Sequence, residues 1–198
     1  MSIHLPKLVL IVWVVAACGQ IGKPVKTFIA DCEDCELMLE GMPESVTWNT
    51  RIADPKEPGE RMIVSGTIFK SDGKTPAPGV ILYVYHTDAK GIYSPSPGQK
   101  DGRRHGHLRG WMKTDAQGKY QFSSIRPVSY PNRRDPQHIH PIVKESDTLI
   151  YWIDEYLFDD DPLLSTEERS SQRKRGGSGI IHLTKNIQGI WIGERDIV

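Results

Sequence analysis

Cysteine is scarce in this chain: there are three in 198 residues, at positions 18, 32 and 35. That is too few for a scaffold held together by disulfides. An excess of one charge is missing too. Twenty-five Lys and Arg balance 25 Asp and Glu, which excludes a general nucleic-acid binder, since such a protein carries a basic surplus. No apolar run reaches the roughly 20 residues needed to cross a bilayer. Long amphipathic helical patterns are also lacking, so there is nothing from which to build α/β crossovers. What is plentiful is turn chemistry, with 18 Gly and 14 Pro between short β-branched segments. A hydrophobic share of 38% is enough for a packed core, and the length fits one main domain.

The amino terminus reads as an address. Lys7 precedes the apolar run Leu8–Ala17, the pattern of an export signal. Val15-Ala16-Ala17-Cys18 resembles the lipobox of bacterial lipoproteins, which implies a signal peptide over 1–17 and lipid attachment at Cys18. Gly19 stands where an Asp would favour inner-membrane retention, so the expected location is the outer membrane, facing the periplasm. Cys32 and Cys35 then form a C-x-x-C. No second such pair completes a zinc site, and no βαβ pattern of thioredoxin type surrounds it, so a local disulfide is expected in an oxidising compartment, with a redox pair as the other reading. Residues 18–40 read as a tether and 41–198 as the domain.

Within the domain, Arg61–Lys70 is rich in β-branched residues and ends at Ser71-Asp72-Gly73. Val80–His86 is a continuous apolar and aromatic run that suits the middle of a sheet. Trp111–Thr114 and Tyr120–Ile125 flank a turn that ends in Gly118, which is a hairpin signal. Further strands are expected at His138–Lys144, Leu149–Phe158, Gly179–Leu183 and Ile190–Ile192. Ser165-Thr166-Glu167-Glu168 is a capping-box pattern that opens one short helix through Lys174. The fold class is all-β: an antiparallel β-sandwich with one short helix.

His138-Ile139-His140 lies on a predicted strand, so its two imidazoles share a face roughly 7 Å apart at Cα. Alone, such a pair is a weak metal signal. Tyr130, eight residues earlier, and Tyr93, just after the turn that follows Val80–His86, add two phenols. Hard Fe(III) accepts both imidazole and phenolate, and a trivalent ion can hold a phenol deprotonated at neutral pH. A second pair, His105-Gly106-His107, sits in an Arg- and Gly-rich loop and reads as a solvated turn or a substrate contact. His182 reads as structural, Asp159–Asp161 as a solvated turn, and Arg173-Lys174-Arg175 as a helix face.

These segments occur in one order. Gly79-Val80 through Tyr93 is followed by Arg109-Gly110, by Thr114-Asp115 and by Gly118 to Ile125-Arg126-Pro127; then come Ser129-Tyr130-Pro131 and Pro136-Gln137-His138-Ile139-His140. Over about residues 60–162 the chain resembles the intradiol ring-cleavage dioxygenases, the protocatechuate and catechol dioxygenase family. The resemblance implies a β-sandwich and a non-haem Fe(III) held by Tyr93, Tyr130, His138 and His140. Tyr93 and His138 would be equatorial, Tyr130 and His140 axial. It further implies a catechol substrate opened between its hydroxyls by O2 to a cis,cis-muconate, with Tyr130 taking a substrate proton.

Two positions depart from the family pattern. Asp135 stands where the family carries Arg, so Arg134, or Arg133 beside it, becomes the candidate guanidinium. Glu155 aligns with the family's Gln, and an acidic group there opposes an anionic substrate. Two other functions fit the same residues: a non-catalytic binding module of transthyretin-like shape, and a zinc or copper protein using both His pairs. Expected partners are a catechol, O2 and, through the lipid, a membrane; nucleic acid is excluded, and a second copy of the chain is left open.

Overall fold

The computed structural model describes residues 27–28, 32, 34–145 and 149–198, so the export signal and Cys18 lie outside the described residues. In chain order the strands are β1 Thr27–Phe28, β2 Asn49–Arg51, β3 Arg61–Thr67, β4 Ile81–His86, β5 Arg109–Lys113 and β6 Lys119–Ile125. They continue with β7 His138–Lys144, β8 Leu149–Trp152, β9 Tyr156–Phe158, the helix α1 Thr166–Ser171, β10 Ile180–Ile181, β11 Leu183–Lys185 and β12 Trp191–Glu194. One sheet runs β1-β8-β7-β4-β5, with β9 beside β7 and β10 beside β9; the other runs β11-β12-β3-β6-β2.

The expected sandwich with one short helix is present, and both its sheets are mixed, antiparallel at the centre with parallel neighbours added. The central pairs β3–β6, β4–β5, β4–β7 and β7–β8 are antiparallel. Parallel neighbours are β1 on β8, β2 on β6, β10 on β9 and β12 on β3. Such pairs are not joined by a tight hairpin, so no turn signal announces them.

The main core lies between the sheets. Met62, Val64 and Phe122 meet Leu82, Val84, Ile139 and Val143, all almost wholly buried. A second cluster covers the outer face of the first sheet, where Tyr83, Trp111, Ile142 and Ile150 pack against Cys35 and Met38. With both faces covered, β4 can read as an unbroken apolar run. The segment read as a tether therefore contributes to the packing: its 3-10 turn Cys35–Leu39 is fixed where Trp111 Nε1–H donates to the Met38 carbonyl at 2.7 Å. Cys32 and Cys35 are paired as a disulfide at its edge, 5.5 Å apart at Cα.

The run Leu149–Phe158 is two strands, not one. Ile142 faces Trp152 and Ile139 faces Tyr156, so His140 and Pro141 stand opposite the three residues Ile153, Asp154 and Glu155. Pro141 has no N–H to give the ladder, and one extra residue bulges out of the partner strand. Asp154 N–H turns instead to the Arg175 carbonyl at 3.0 Å. The helix has the expected capping box, with Ser165 Oγ accepting from Glu168 N–H at 3.2 Å, but it ends at Ser171 rather than Lys174.

Candidate metal centre

Strand β7 alternates faces. Ile139 and Val143 enter the core while His138 and His140 look outward from the sheet. The strand is pinned just ahead of His138. Asp161 is 4% exposed; it accepts from Gln137 N–H at 2.6 Å and Leu163 N–H at 2.9 Å. Arg126 Nε–H donates to Gln137 Oε1 at 2.7 Å, and its two terminal nitrogens grip Asp160 at 2.7 and 2.8 Å. The acidic turn read as solvated is thus a bracket for the strand that carries both histidines. His138 Nδ1 lies 2.7 Å from the Pro136 carbonyl. A carbonyl only accepts, so Nδ1 carries the proton and the Nε2 lone pair is free to ligate.

The two tyrosines arrive on loops tied to each other. Asp88 accepts from Lys90 N–H at 2.8 Å, Ile92 N–H at 3.2 Å and Ser94 Oγ–H at 2.6 Å, which shapes the loop bearing Tyr93. Thr87 Oγ1–H donates to the Val128 carbonyl at 2.6 Å. The loops touch at Gly91, which has φ +76°; a Cβ there would sit 2.2 Å from the Ser129 carbonyl oxygen, next to Tyr130. Only glycine allows that approach.

Four donor atoms converge as a result. Tyr93 Oη is 2.5 Å from Tyr130 Oη and 2.9 Å from His140 Nε2. Tyr130 Oη is 3.0 Å from His138 Nε2 and 3.4 Å from His140 Nε2. Burial raises both phenols above their ordinary range; for Tyr93 the hydrogen bond to Tyr130 adds to it. Burial, then the neighbouring His138, holds His140 well below the usual imidazole value, which leaves it neutral as a ligand must be. Two imidazoles and two phenols aimed at one point fit a hard trivalent cation, whose charge offsets the cost of forming phenolate. No group of three or more His, Cys, Asp or Glu gathers among the described residues, so the phenolic oxygens are what complete this donor set.

The other His pair supports the centre from behind. His140 stacks on Tyr85 at 4.7 Å between centroids, and Tyr85 stacks on His105 at 3.6 Å. His105 is 2% exposed, with Nδ1 2.8 Å from Tyr83 Oη. His107 contacts the Ser94 carbonyl and Glu57. The expectation of a solvated turn is corrected: His105 is packed among aromatics.

Two cavities, of about 390 and 340 Å³, both reach His140 and Glu155. Tyr130, Arg133, Asp135 and His138 line the larger; Tyr85, Ile142, Trp152 and the disulfide line the smaller. Tyr93 lines neither. Nor does Arg134, which is exposed, so the structure does not bring it to the centre. Arg133 is the guanidinium at the cavity. It lies 5.1 Å over the Tyr130 ring and donates to Asp135 at 2.7 Å, after a turn at Asn132 with φ 62°.

A family model for dioxygenases (Dioxygenase_C) matches residues 40–175. Catechol 1,2-dioxygenase 1 of Acinetobacter lwoffii is 38% identical over 80 residues, 39% of this chain and 24% of the relative. The protocatechuate 3,4-dioxygenase beta chain of Burkholderia cepacia is 34% identical over 89 residues, covering 41% and 37%. The matched stretches thus span 24% and 37% of these relatives' lengths. The dioxygenase domain of a carbohydrate-binding fusion from Streptomyces sp. SirexAA-E superposes with a TM-score of 0.58 at 20% identity, over 79% of this chain and 90% of that one. Catechol 1,2-dioxygenase from Acinetobacter sp. ADP1 gives 0.57 at 22%, over 79% and 58%. At those identities the superpositions establish the sandwich fold.

The bracket ahead of His138 predicts that Asp161→Ala frees Gln137 and loosens β7. Losing this buried acceptor should cost about 1–3 kcal/mol in urea unfolding. Fe(III) affinity, read by chelator competition, should fall about 10- to 100-fold. Unchanged affinity would separate the bracket from the centre.

Proposed function

The chain belongs to the intradiol ring-cleavage dioxygenase family, and from that premise we propose that it opens a catechol ring between its two hydroxyls with O2, giving a cis,cis-muconate. Tyr93, Tyr130, His138 and His140 would hold a non-haem Fe(III). The convergence of their four donor atoms, linked by contacts of 2.5–3.4 Å through the two phenol oxygens, carries the reading. When bound, the ion supplies Lewis acidity, polarising the chelated ring so that it is open to O2.

The protein's own residues divide the remaining work. His138 is oriented by the Pro136 carbonyl and His140 by its stack on Tyr85. Tyr93, which lines neither cavity, would be the phenol that stays on the ion. Tyr130 lines the larger cavity, so its Oη is the base within reach of an entering substrate, and it takes a catechol hydroxyl proton there. Arg133, paired with Asp135, lies over the Tyr130 ring and so helps to position that phenol at the cavity.

We assign the address to the lipobox-like Val15–Cys18 segment: the chain is exported, lipidated on Cys18 and held at the periplasmic face of the outer membrane. Cys18→Ser should release the protein from membranes and abolish incorporation of labelled fatty acid. Continued membrane retention would refute the assignment.

Turnover is tested by giving iron-loaded protein a catechol and following O2 uptake together with muconate. The expected result is one O2 consumed per ring opened. Tyr130→Phe should retain iron yet slow turnover about a hundredfold or more; an undiminished rate would remove Tyr130 from the proton step, and no ring opening by the unmodified protein would refute the activity.

A further inference from the structure

The bulge opposite Pro141 has a chemical effect. It brings Glu155 against the outer edge of His140, with Oε1 3.8 Å from Nδ1. Glu155 and His140 are the two residues common to both cavities at the centre, so a ring substituent extending from a ligand on His140 into either one meets this carboxylate. No Lys or Arg among the described residues pairs with it.

The charges around it do not cancel it. In the larger cavity Arg133 is spent on Asp135, at 2.7 and 3.2 Å. Glu168, on the same wall, adds a second carboxylate, which also accepts from Ser165 N–H and Oγ–H. In the smaller cavity Asp34 is matched by Arg104, and no Lys or Arg lines the wall. Arg173 and Arg175 lie 5.4 and 4.4 Å over the Trp152 ring; Arg173 shares a third cavity with Glu155, across Trp152, and neither lines the two that His140 lines. A carboxylate on the substrate would therefore meet a like charge in a confined space, whereas an ammonium would gain an ion pair with Glu155.

We propose that Glu155 selects the substrate's ring substituent, so that the site takes catechols bearing a protonated amine in preference to catechols bearing a carboxylate. The inference rests on the ring-cleavage reading and narrows its substrate class. Discrimination comes as much from repelling the wrong substituent as from attracting the right one.

The test uses the iron-loaded full chain and its Glu155→Gln variant, which keeps the side chain's shape. Catechol, an aminoethyl catechol and a carboxylated catechol are titrated without O2, with Kd read from the change in visible absorption; kcat/KM is then measured in air. The unmodified protein should bind the amine at least about tenfold more tightly than the carboxylate. Glu155→Gln should bring the two within about twofold. Equal or tighter binding of the carboxylate by the unmodified protein, or a ratio unmoved by Glu155→Gln, overturns the inference alone. Failure of all three to bind overturns it together with the ring-cleavage reading.

Discussion

Extended backbone from His138 to Lys144 puts successive side chains on opposite faces of the sheet, and the candidate centre depends on that alternation. Ile139 and Val143 are locked into the core between the sheets, at 0% and 1% exposure. Their burial fixes which face His138 and His140 present, because a slip of one residue would exchange the two sets. The imidazoles are thus placed by apolar packing on the far side of their own strand.

Elements distant in sequence then bring the rest of the donor set. Asp161 and Arg126 clamp the approach to β7; Asp88 and Gly91 hold the Tyr93 loop against the Tyr130 loop. Tyr85 and His105 stack behind His140. Residues before position 40 matter as well: Cys35 and Met38 cover the outer face from which the donors project. The same proline that interrupts the β7–β8 ladder makes the bulge that brings Glu155 to the centre, so a defect in sheet pairing becomes a feature of the site.

Much of this was legible in the sequence. The bounds of β7 followed from its composition, and the capping box at Ser165 from local spacing. The grouping of Tyr93 and Tyr130 with the histidines came from the affinity of Fe(III) for phenolate and imidazole, and the family resemblance made it specific. Other features were hidden for definite reasons. The parallel neighbours join segments without a connecting hairpin. Asp161 acts 24 residues away from Gln137, so its run of acids reads as a solvated turn. The choice of Arg133 over Arg134 depends on the backbone turning at Asn132. The division of Leu149–Phe158 follows from a proline on the neighbouring strand.

The central claim is that two phenolates and two imidazoles of this chain hold one Fe(III). The most direct measurement is the visible spectrum of the purified protein titrated with Fe(III), alongside its Tyr93→Phe variant. The account predicts a tyrosinate-to-iron charge-transfer band that saturates at one iron per chain and is weakened and shifted when Tyr93 is lost. Protein that binds iron and stays colourless would contradict it.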